Sequence, residues 1–330
     1  MVKLDCDINI PRIFIAMTES DVSDAAKISN TPSLADLSQR DKPWDKHRSN
    51  ADKVSAYYVG SEFQNYAGRI HDCSVLLDFR LVPDAEEGML KFKLNSAKFC
   101  RVRHCPVCQW RRSLMWKAKA YKILPTIVAD YPTSRWLFVT LTVRNCQITE
   151  LRSTLDWMHE SFKRMTKLKS FPALGWIKST EVTRGKDGSA HPHFHCLLMV
   201  QPSYFGRNYM KQAEWVELWK QSLRIDYNPV LDVQAIKKGV QPSSLVPELL
   251  KYCTKESDLT ADREWFLELT RQMHKSRTIA TGGVLKHYLR QLEQEPEDLI
   301  GKDDEGEELV DEGHLYFGWK RREKKYKLVD

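Results

Sequence analysis

Apolar residues recur with two different periods along the central part of the chain, between residues 131 and 260. A helical spacing of three or four residues relates Leu151, Leu155, Met158, Phe162 and Met165. Short β-prone runs occupy residues 135–143, 176–184, 191–200 and 229–236, and further helical patterns occupy residues 214–223 and 244–258. The pattern therefore predicts the element order β-α-β-β-α-β-α.

This order contains two split β-α-β units, which build an antiparallel sheet with helices packed on one side. We therefore predict an α+β fold with a ferredoxin- or RRM-like sheet. Trp157, Trp215 and Trp219 fall within helical patterns, and we interpret them as packing residues.

The remaining pattern divides the chain into four predicted parts. Residues 1–60 are polar and indicate a partly disordered arm. Residues 61–130 form a cysteine-rich basic module with a helix near residues 111–124, and residues 131–260 form the sheet-containing core. Residues 261–330 read as a helical and charged tail, in which an acidic segment at 293–312 precedes a basic end. These opposite charges are compatible with self-association on DNA or with a second DNA contact.

The composition fits a protein with a sizeable core and a polyanionic partner. The chain has 330 residues, of which 42% are hydrophobic, and a net charge of +7. No apolar run approaches the roughly 18 residues that would predict a membrane span. Acidic residues stand where a secretory signal would be apolar, so we expect a reducing, cytoplasmic location.

Two histidines lie in the run H-P-H-F-H, directly before an apolar, β-prone stretch. His193 and His195 are two positions apart, which in a strand turns both imidazoles to the same face. Such a pair is typical of part of a catalytic metal site, although taken alone it is equally typical of core or surface histidines.

A carboxylate is expected beside these histidines. Residues 176–184 read as a strand, and the loop G-K-D-G-S-A joins it to the histidine strand. With the hairpin centred near Asp187, Glu181 falls opposite His193. The resulting oxygen and nitrogen ligands suit Mg²⁺ or Mn²⁺ as well as zinc. A slip of one residue would turn Glu181 to the other face.

A further candidate lies in the predicted helix at residues 244–258. Glu248, Tyr252 and Lys255 occupy positions i, i+4 and i+7, which lie along one side of a helix. This stripe is compatible with ordinary surface pairing. After a metal-binding hairpin, it also fits a nucleophile with its proton-handling groups.

Eight cysteines occur in the chain, and four of them are clustered in sequence near its first third. Cys100, Cys105 and Cys108 lie in F-C-R-V-R-H-C-P-V-C, where C-P-x-C is typical of a zinc knuckle. Cys73 is the predicted fourth ligand, with His104 and His71 as substitutes. A redox C-x-x-C is the alternative, but no β-α-β pattern surrounds the motif. We therefore predict structural Zn²⁺.

The segment from Lys91 to Lys122 carries ten basic residues and no acidic residue. A charge run of this kind usually marks a solvated face. Beside a zinc knuckle, with aromatic residues interleaved, it also fits a surface that follows a DNA backbone. The residues that we predict to contact DNA are Arg101, Arg103, Arg111, Arg112, Lys117 and Lys119.

Three motifs in order resemble those of the HUH endonucleases, specifically the plasmid Rep proteins that initiate rolling-circle replication. They are the T-L-T strand at residues 138–142, then H-P-H-F-H, then E-x-x-x-Y-x-x-K at residues 248–255. The match runs from about Cys73 to Arg290, and K-P-W-D-K-H-R at residues 42–48 is similar to the same family. Each motif alone is weak, whereas three in order are specific.

The resemblance implies the HUH fold and a metal-dependent, single-tyrosine DNA nickase. Tyr252 would attack a scissile phosphate polarised by Mg²⁺ or Mn²⁺ at His193, His195 and Glu181, giving a 5′-phosphotyrosyl bond and a 3′-hydroxyl primer. Lys255 would stabilise the phenolate, and Glu248 would activate water for the closing step. The implied partners are single-stranded or hairpin origin DNA, a host helicase and a DNA polymerase.

Three other functions remain open at this point. An HUH transposase or relaxase would use similar residues on different DNA ends. A non-catalytic, zinc-stabilised DNA-binding regulator would use the histidines only for packing. Zinc-dependent hydrolysis of a small molecule is disfavoured, because it would leave the basic surface and the tyrosine stripe without a role.

Overall fold

The computed structural model describes residues 31–83, 90–237, 240, 242–250, 256–293, 299–300 and 313–329. Two antiparallel sheets organise these residues, one of four strands and one of five. The α+β class and the antiparallel sheet predicted from the sequence are confirmed. No helix in this part of the chain combines the length and the apolar character that a membrane span requires.

The four-stranded sheet combines segments from opposite ends of the chain, in the order β2-β1-β8-β9. Its strands are β1 (Leu76–Pro83), β2 (Leu90–Ala97), β8 (His314–Lys320) and β9 (Lys325–Val329). The helices that precede it are α1 (Leu34–Leu37), α2 (Pro43–Tyr58) and α3 (Gln64–His71). Trp44, Tyr58, Phe79, Phe317 and Tyr326 are buried together in this half of the molecule.

Helix α2 lies within residues 1–60, for which the polar sequence predicts a partly disordered arm. Its buried residues include Trp44, Ala51, Val54 and Tyr58. Residues 1–30 lie outside the described residues. The boundaries of the four predicted parts stay a prediction.

The five-stranded sheet has the order β6-β3-β5-β4-β7, and every neighbouring pair is antiparallel. Its strands are β3 (Arg135–Thr142), β4 (Ala173–Arg184), β5 (Ala190–Val200), β6 (Leu231–Ala235) and β7 (Ile279–Gly283). The first four are the strands that the hydrophobic pattern predicts. Strand β7 falls in a stretch that the pattern assigns to helices, although β-branched Ile279 and Thr281 favour a strand there.

Helices cover both faces of this sheet rather than one. On the predicted face, α5 (Leu151–Met165) and α6 (Gln212–Leu223) pack against Phe194, Cys196 and Leu198. On the other face, Ile177, Leu197 and Met199 pack against α4 (Pro106–Asp130), α7 (Val246–Leu249) and α10 (Leu285–Glu293). Strand β5 is apolar at successive positions from Cys196 to Val200, and a strand with two apolar faces requires cover on both.

The two remaining α-helices in the described part of the chain are α8 (Glu256–Leu259) and α9 (Arg263–Gln272). The Phe266 ring of α9 lies 4.8 Å from the ring of Tyr58 in α2. The segment that follows α9 leads into β7, which pairs with β4. Helix α9 and its following loop therefore join the two sheet-containing halves.

Candidate active site and cysteine cluster

The β4–β5 hairpin brings the predicted metal-binding side chains together. In its register Glu181 pairs with His193, and Ser179 pairs with His195. The turn at residues 185–188 includes Gly188 at φ +84°, a conformation that glycine adopts without steric cost. The register predicted from the sequence, with Glu181 opposite His193, is therefore the register of the structure.

One carboxylate oxygen lies between the two imidazoles. Glu181 Oε2 is 3.2 Å from His193 Nε2 and 3.0 Å from His195 Nε2. Glu181 and His195 are buried, and His193 is partly exposed. One donor atom from each residue lies within 4.8 Å of the others, so the three side chains could hold one metal ion.

The other ring nitrogens of the histidines are also held. His193 Nδ1 lies 3.3 Å from the carbonyl oxygen of His191, and His195 Nδ1 lies 3.3 Å from Thr140 Oγ1. The Phe138 ring stacks on His195, with centroids 5.6 Å apart. These contacts direct both Nε2 atoms towards Glu181, as the outer contacts of metal-bound histidines do.

The chemistry of this donor set fits a divalent cation. A carbonyl can only accept, so His193 Nδ1 donates to His191, and this arrangement leaves Nε2 as the ring atom directed at Glu181. Two imidazole nitrogens and a carboxylate oxygen are donors that a divalent cation can bind together. Burial, and then the neighbouring His193, lower the pKa of His191, which favours its neutral form.

The tyrosine stripe is only partly described. Glu248 lies in α7 by its backbone, and Tyr252 and Lys255 lie outside the described residues. Leu249 and Leu250, which precede the motif tyrosine in the sequence, are buried. Ser113 Oγ of α4 donates a hydrogen bond of 2.8 Å to the carbonyl of Leu250. Leu250, two residues before Tyr252, therefore lies next to α4, on the face of the sheet that carries Glu181.

The four predicted zinc ligands also converge. The Sγ–Sγ distances are 3.7 Å for Cys73–Cys108, 3.6 Å for Cys100–Cys108 and 3.8 Å for Cys105–Cys73. Disulfides are much shorter, at about 2.05 Å. Tetrahedral zinc with Zn–S bonds of about 2.3 Å separates its sulfurs by roughly 3.8 Å. The cluster therefore has the dimensions of a zinc site with four cysteine ligands, and all four residues are buried.

The cysteine cluster joins three elements. Cys73 follows α3, Cys100 follows β2, and Cys105 and Cys108 belong to the N-terminal end of α4. The backbone N–H of Arg101 lies 3.3 Å from Cys108 Sγ and that of Cys100 lies 3.4 Å from Cys73 Sγ. Hydrogen bonds from the neighbouring thiols hold the pKa of Cys108 well below its usual range. These contacts favour the thiolate, the form that binds metal, at Cys108, whereas burial holds the pKa of Cys105 well above its usual range.

The predicted substitutes for a cysteine ligand are engaged elsewhere. His104 is buried beside Gln109, with 3.5 Å between His104 Nδ1 and Gln109 Nε2. His71 is exposed and lies 3.2 Å from Asp72. Among the described residues, neither histidine belongs to the group of four sulfurs.

The predicted DNA-binding residues occupy different environments. Arg112 is buried and donates a hydrogen bond of 2.8 Å to the carbonyl of Arg101. Arg111 donates to the carbonyl of Leu299, and Arg103 donates to the carbonyl of Ser276. Arg101 is exposed, whereas Lys117 and Lys119 of α4 are half-buried. Trp110 packs at 4.8 Å from Trp44 and is therefore part of the core around the cluster.

One buried cation was not anticipated from the sequence. Lys178 lies on β4, and its Nζ is 2.6 Å from His159 Nδ1 and 3.8 Å from the centre of the Phe194 ring. Burial lowers the pKa of Lys178 to about 8, while burial and then the Lys178 charge lower the pKa of His159 to about 4. The one sequence feature that could have indicated this buried lysine is its position within the predicted strand at residues 176–184.

Comparisons with known proteins agree with the motifs. A model of the family described as replication protein matches residues 91–327. The Protein rep of Lentilactobacillus hilgardii is 34% identical over 291 residues, covering 82% of this chain and 90% of its own length. The Protein rep of Lactiplantibacillus plantarum is 35% identical over 270 residues, covering 77% and 83%.

The Replication protein of Staphylococcus aureus is 34% identical over 228 residues, which covers 63% of this chain and 96% of its own length. No solved structure matches the chain. The family model and the relatives together span the cysteine cluster, the histidine hairpin and the tyrosine motif. The chain therefore belongs to the Rep family of replication proteins, as the three ordered motifs predicted.

Proposed function

We propose that this protein initiates replication by nicking one strand of a plasmid origin, with Tyr252 as the nucleophile. The observation that carries the proposal is the convergence of Glu181, His193 and His195 around one point on the β4–β5 hairpin. The motif tyrosine follows α7, which packs on the same face of the sheet. The membership in a replication protein family supports DNA as the substrate.

In the proposed reaction, the Tyr252 oxygen forms a bond to the scissile phosphorus while the bond from phosphorus to the 3′ oxygen breaks. The tyrosine proton is lost, and the leaving 3′ oxygen gains a proton to become the primer hydroxyl. A divalent cation held by Glu181, His193 and His195 would supply Lewis-acid polarisation of the phosphate. A free tyrosine has a pKa of about 10, so we propose that the ammonium of Lys255, three residues later in the sequence, favours the phenolate.

Glu248 is proposed to act in the closing step of the cycle. The phosphotyrosyl bond must be broken by a second nucleophile, and a carboxylate four residues before the tyrosine can accept a proton from water. With one tyrosine in the motif, hydrolysis is the expected way to release the protein. Glu248→Ala should nick and join single-stranded DNA but accumulate the covalent intermediate. Wild-type turnover in this variant would contradict the role.

The nucleophile is tested by incubating the protein with Mn²⁺ and a single-stranded origin oligonucleotide. Wild type should give a covalent protein–DNA adduct on a denaturing gel, and Tyr252→Phe should give none. Tyr209→Phe is the matched control, because Tyr209 is 57% exposed and lies outside the motif. An adduct that survives Tyr252→Phe would refute the assignment.

The metal site is tested by replacing both His193 and His195 with alanine. Nicking in Mg²⁺ or Mn²⁺ should be lost, while binding of the uncut oligonucleotide is retained. His287→Ala is the control, because His287 is exposed on α10. Nicking that persists without either histidine would favour a regulator that only binds DNA.

The cysteine cluster is proposed to hold a structural Zn²⁺ and to support the surface that binds DNA. Arg103, Arg111 and Arg112 donate hydrogen bonds to backbone carbonyls. We therefore propose that part of their role is to stabilise the cysteine-rich module. Arg101, Lys117 and Lys119 are proposed to contact phosphates directly. Host helicase and polymerase are the expected partners, because a nicked strand must be separated and extended.

A further inference from the structure

A cavity of about 420 Å³ lies between the cysteine cluster and the β4–β7 edge of the five-stranded sheet. Residues from the knuckle, from α4, from β4 and from the loop before β7 line it. Its volume falls within the roughly 300–1,000 Å³ that small-ligand sites occupy. Among the described residues, the three proposed to hold the catalytic cation, Glu181, His193 and His195, do not line this cavity.

The rim of the cavity is strongly cationic. The basic residues that line it are Arg69, Arg101, Arg103, Arg112, Lys275 and Arg277, and no carboxylate lines it within the described ranges. Arg69 and Arg103 each donate a hydrogen bond of 2.6 Å to a backbone carbonyl, of Cys100 and Ser276 respectively. A carbonyl carries no net charge, so these contacts orient the guanidinium groups without neutralising them. The rim is therefore suited to an anion such as a phosphate.

Four of the residues that line the cavity each have a buried polar atom without a hydrogen-bond partner among the described residues. They are His104 Nε2, Gln109 Oε1, Trp116 Nε1 and Thr180 Oγ1. His104 is 1% exposed, Thr180 is 4% exposed and Gln109 is 5% exposed. Buried polar groups without partners are rare and costly, so such a set around one cavity requires partners from outside the described side chains, supplied by water or by a ligand that displaces it.

The hydrogen-bonding character of these atoms can be assigned. The Gln109 amide nitrogen can only donate, so His104 Nδ1 accepts at 3.5 Å and the ring proton lies on Nε2. His104 Nε2 and Trp116 Nε1 are then donors, Gln109 Oε1 is an acceptor, and the Thr180 hydroxyl can act as either. Donors and acceptors in a confined space are complementary to the edge of a nucleobase.

The cavity adjoins the proposed reaction centre. Ser179 lines the cavity and pairs with His195 in the sheet register. Ser113 also lines it and donates a hydrogen bond to the carbonyl of Leu250, two residues before Tyr252. A strand bound at the Glu181 site therefore passes close to the mouth of the cavity.

We propose that this cavity binds one nucleotide of the single-stranded substrate, with its base turned out of the stack into the cavity and its phosphate on the cationic rim. The proposal rests on the proposed nicking function, and it makes the cavity a site that discriminates bases beside the nick. An enzyme that must bind one strand at a defined position gains selectivity from such a base pocket.

The test measures binding in a Tyr252→Phe background without added divalent metal, so that no strand is cut. Fluorescent single-stranded dodecamers of each of the four deoxynucleotides are compared with an all-abasic dodecamer by anisotropy. We expect at least one base to bind about tenfold more tightly than the abasic strand. Thr180→Val and Trp116→Phe, which remove one polar group each, should reduce that preference severalfold and leave abasic binding unchanged.

Thr133→Val is the matched control, because Thr133 is exposed and does not line the cavity. Base preference that is unchanged in both cavity variants would overturn the proposal, and so would an equal loss for base-bearing and abasic strands. Competition by a deoxynucleoside monophosphate as strong as that of the dodecamer would identify a free-nucleotide site and overturn the strand assignment. Failure of the covalent-adduct experiment would leave these binding results intact, so the two hypotheses can be separated.

Discussion

Glu181 contacts two imidazole nitrogens through a single oxygen, so its charge is central to cation binding at this site. Glu181→Gln keeps an acceptor of the same shape but removes the negative charge. Because ligand charge sets affinity for hard cations, we expect Mn²⁺ binding to weaken about tenfold or more. Electron paramagnetic resonance titration of free Mn²⁺ measures the change.

The matched control for this substitution is Glu160→Gln, because Glu160 is exposed on α5. It should bind Mn²⁺ as the wild type does. Equal affinity in Glu181→Gln and the wild type would remove Glu181 from the set of ligands and leave only the two histidines.

Lys178 should make the stability of the protein depend on pH in the alkaline range. Burial lowers its pKa from 10.5 to about 8. Below pH 8 the buried ammonium is charged, and the whole cost of removing this charge from water lowers the free energy of unfolding. Between pH 8 and 10.5 the unfolded chain binds this proton more tightly than the folded chain, so the contribution of Lys178 to stability rises with pH.

Lys178→Met should therefore raise the free energy of unfolding at neutral pH by about 2 kcal/mol. That gain should shrink at about pH 9.5, because the wild-type lysine is then mostly neutral. Urea unfolding at the two pH values measures it, with the exposed Lys163→Met of α5 as control. A gain that is equal at both pH values would show that desolvation of the charge is not its cause.

Sequence reasoning identifies residues whose chemistry depends on local spacing and misses those that depend on tertiary packing. His193, His195 and Glu181 were predictable, because a two-residue period and a short hairpin set their relative positions. The Lys178–His159 contact joins β4 to α5, and nothing in either segment alone indicates it. The unpartnered polar atoms belong to His104, Gln109 and Trp116, which are near one another in the sequence, and to Thr180 of β4, which is far from them.

At the scale of elements, the cysteine cluster joins the end of α3, the end of β2 and the start of α4. Cys108→Ser removes the sulfur that lies within 3.7 Å of two others. We expect loss of bound zinc and a loss of about 3 kcal/mol or more in stability, because metal binding is coupled to folding. Metal analysis by mass spectrometry and thermal unfolding measure the two effects.

The matched control is Cys146→Ser, since Cys146 is half-buried and lies outside the cluster. This variant should retain the wild-type zinc content. One zinc per chain and an unchanged melting temperature in Cys108→Ser would contradict the proposed site.

The β4–β7 pairing depends on a glycine that no other residue can replace at low cost. Gly283 has a φ of +58°, and an added Cβ would lie 2.1 Å from the carbonyl oxygen of Leu174. Gly283→Ala should therefore cost about 3 kcal/mol, from backbone strain and from the clash with rigid backbone. Chemical denaturation measures the loss.

Gly60→Ala separates these two causes. Gly60 has a φ of +71°, but an added Cβ would meet nothing within 4 Å. This variant should show only the backbone cost, about 1 kcal/mol. If both variants lose the same stability, the close approach of β7 to β4 contributes nothing.

The order of elements in the core followed from the periodicity of its apolar residues, whereas several flanking elements did not. Strand β7 has only five residues, and its threonine and glycines give no alternating pattern. Helix α2 was missed because polar residues surround its buried positions, Trp44, Ala51 and Val54. Short or mostly polar elements are formed through packing against the rest of the molecule, and local pattern underestimates them.

At the scale of the whole molecule, the net charge of +7 should make DNA binding depend on salt. Cations that neutralise phosphates release counterions, so affinity falls steeply as salt rises. We expect single-stranded DNA affinity to fall about a hundredfold or more between 50 and 200 mM salt. Anisotropy titrations at several salt concentrations measure the affinity. An affinity that does not change with salt would contradict a protein surface that follows the DNA backbone.

The pairing of distant segments is the least predictable feature of the molecule. Strands β1 and β8 are neighbours, with Arg80 paired to His314 across more than two hundred residues. Each strand could pair with many others on the basis of its pattern alone. The shared burial of Phe79 and Phe317 in one core and the 2.7 Å contact between Asp78 Oδ1 and His314 Nδ1 favour this partner.

The C-terminal hairpin formed by β8 and β9 also reaches the cysteine cluster. The Tyr326 hydroxyl donates a hydrogen bond of 2.6 Å to the carbonyl of Ser74, the residue after Cys73. During translation, residues 314–329 emerge from the ribosome long after the four cysteines. The nascent chain therefore cannot complete the sheet beside the cysteines before these residues have been made, and a premature stop codon shortly before residue 314 would yield a protein whose cysteine cluster lacks this support.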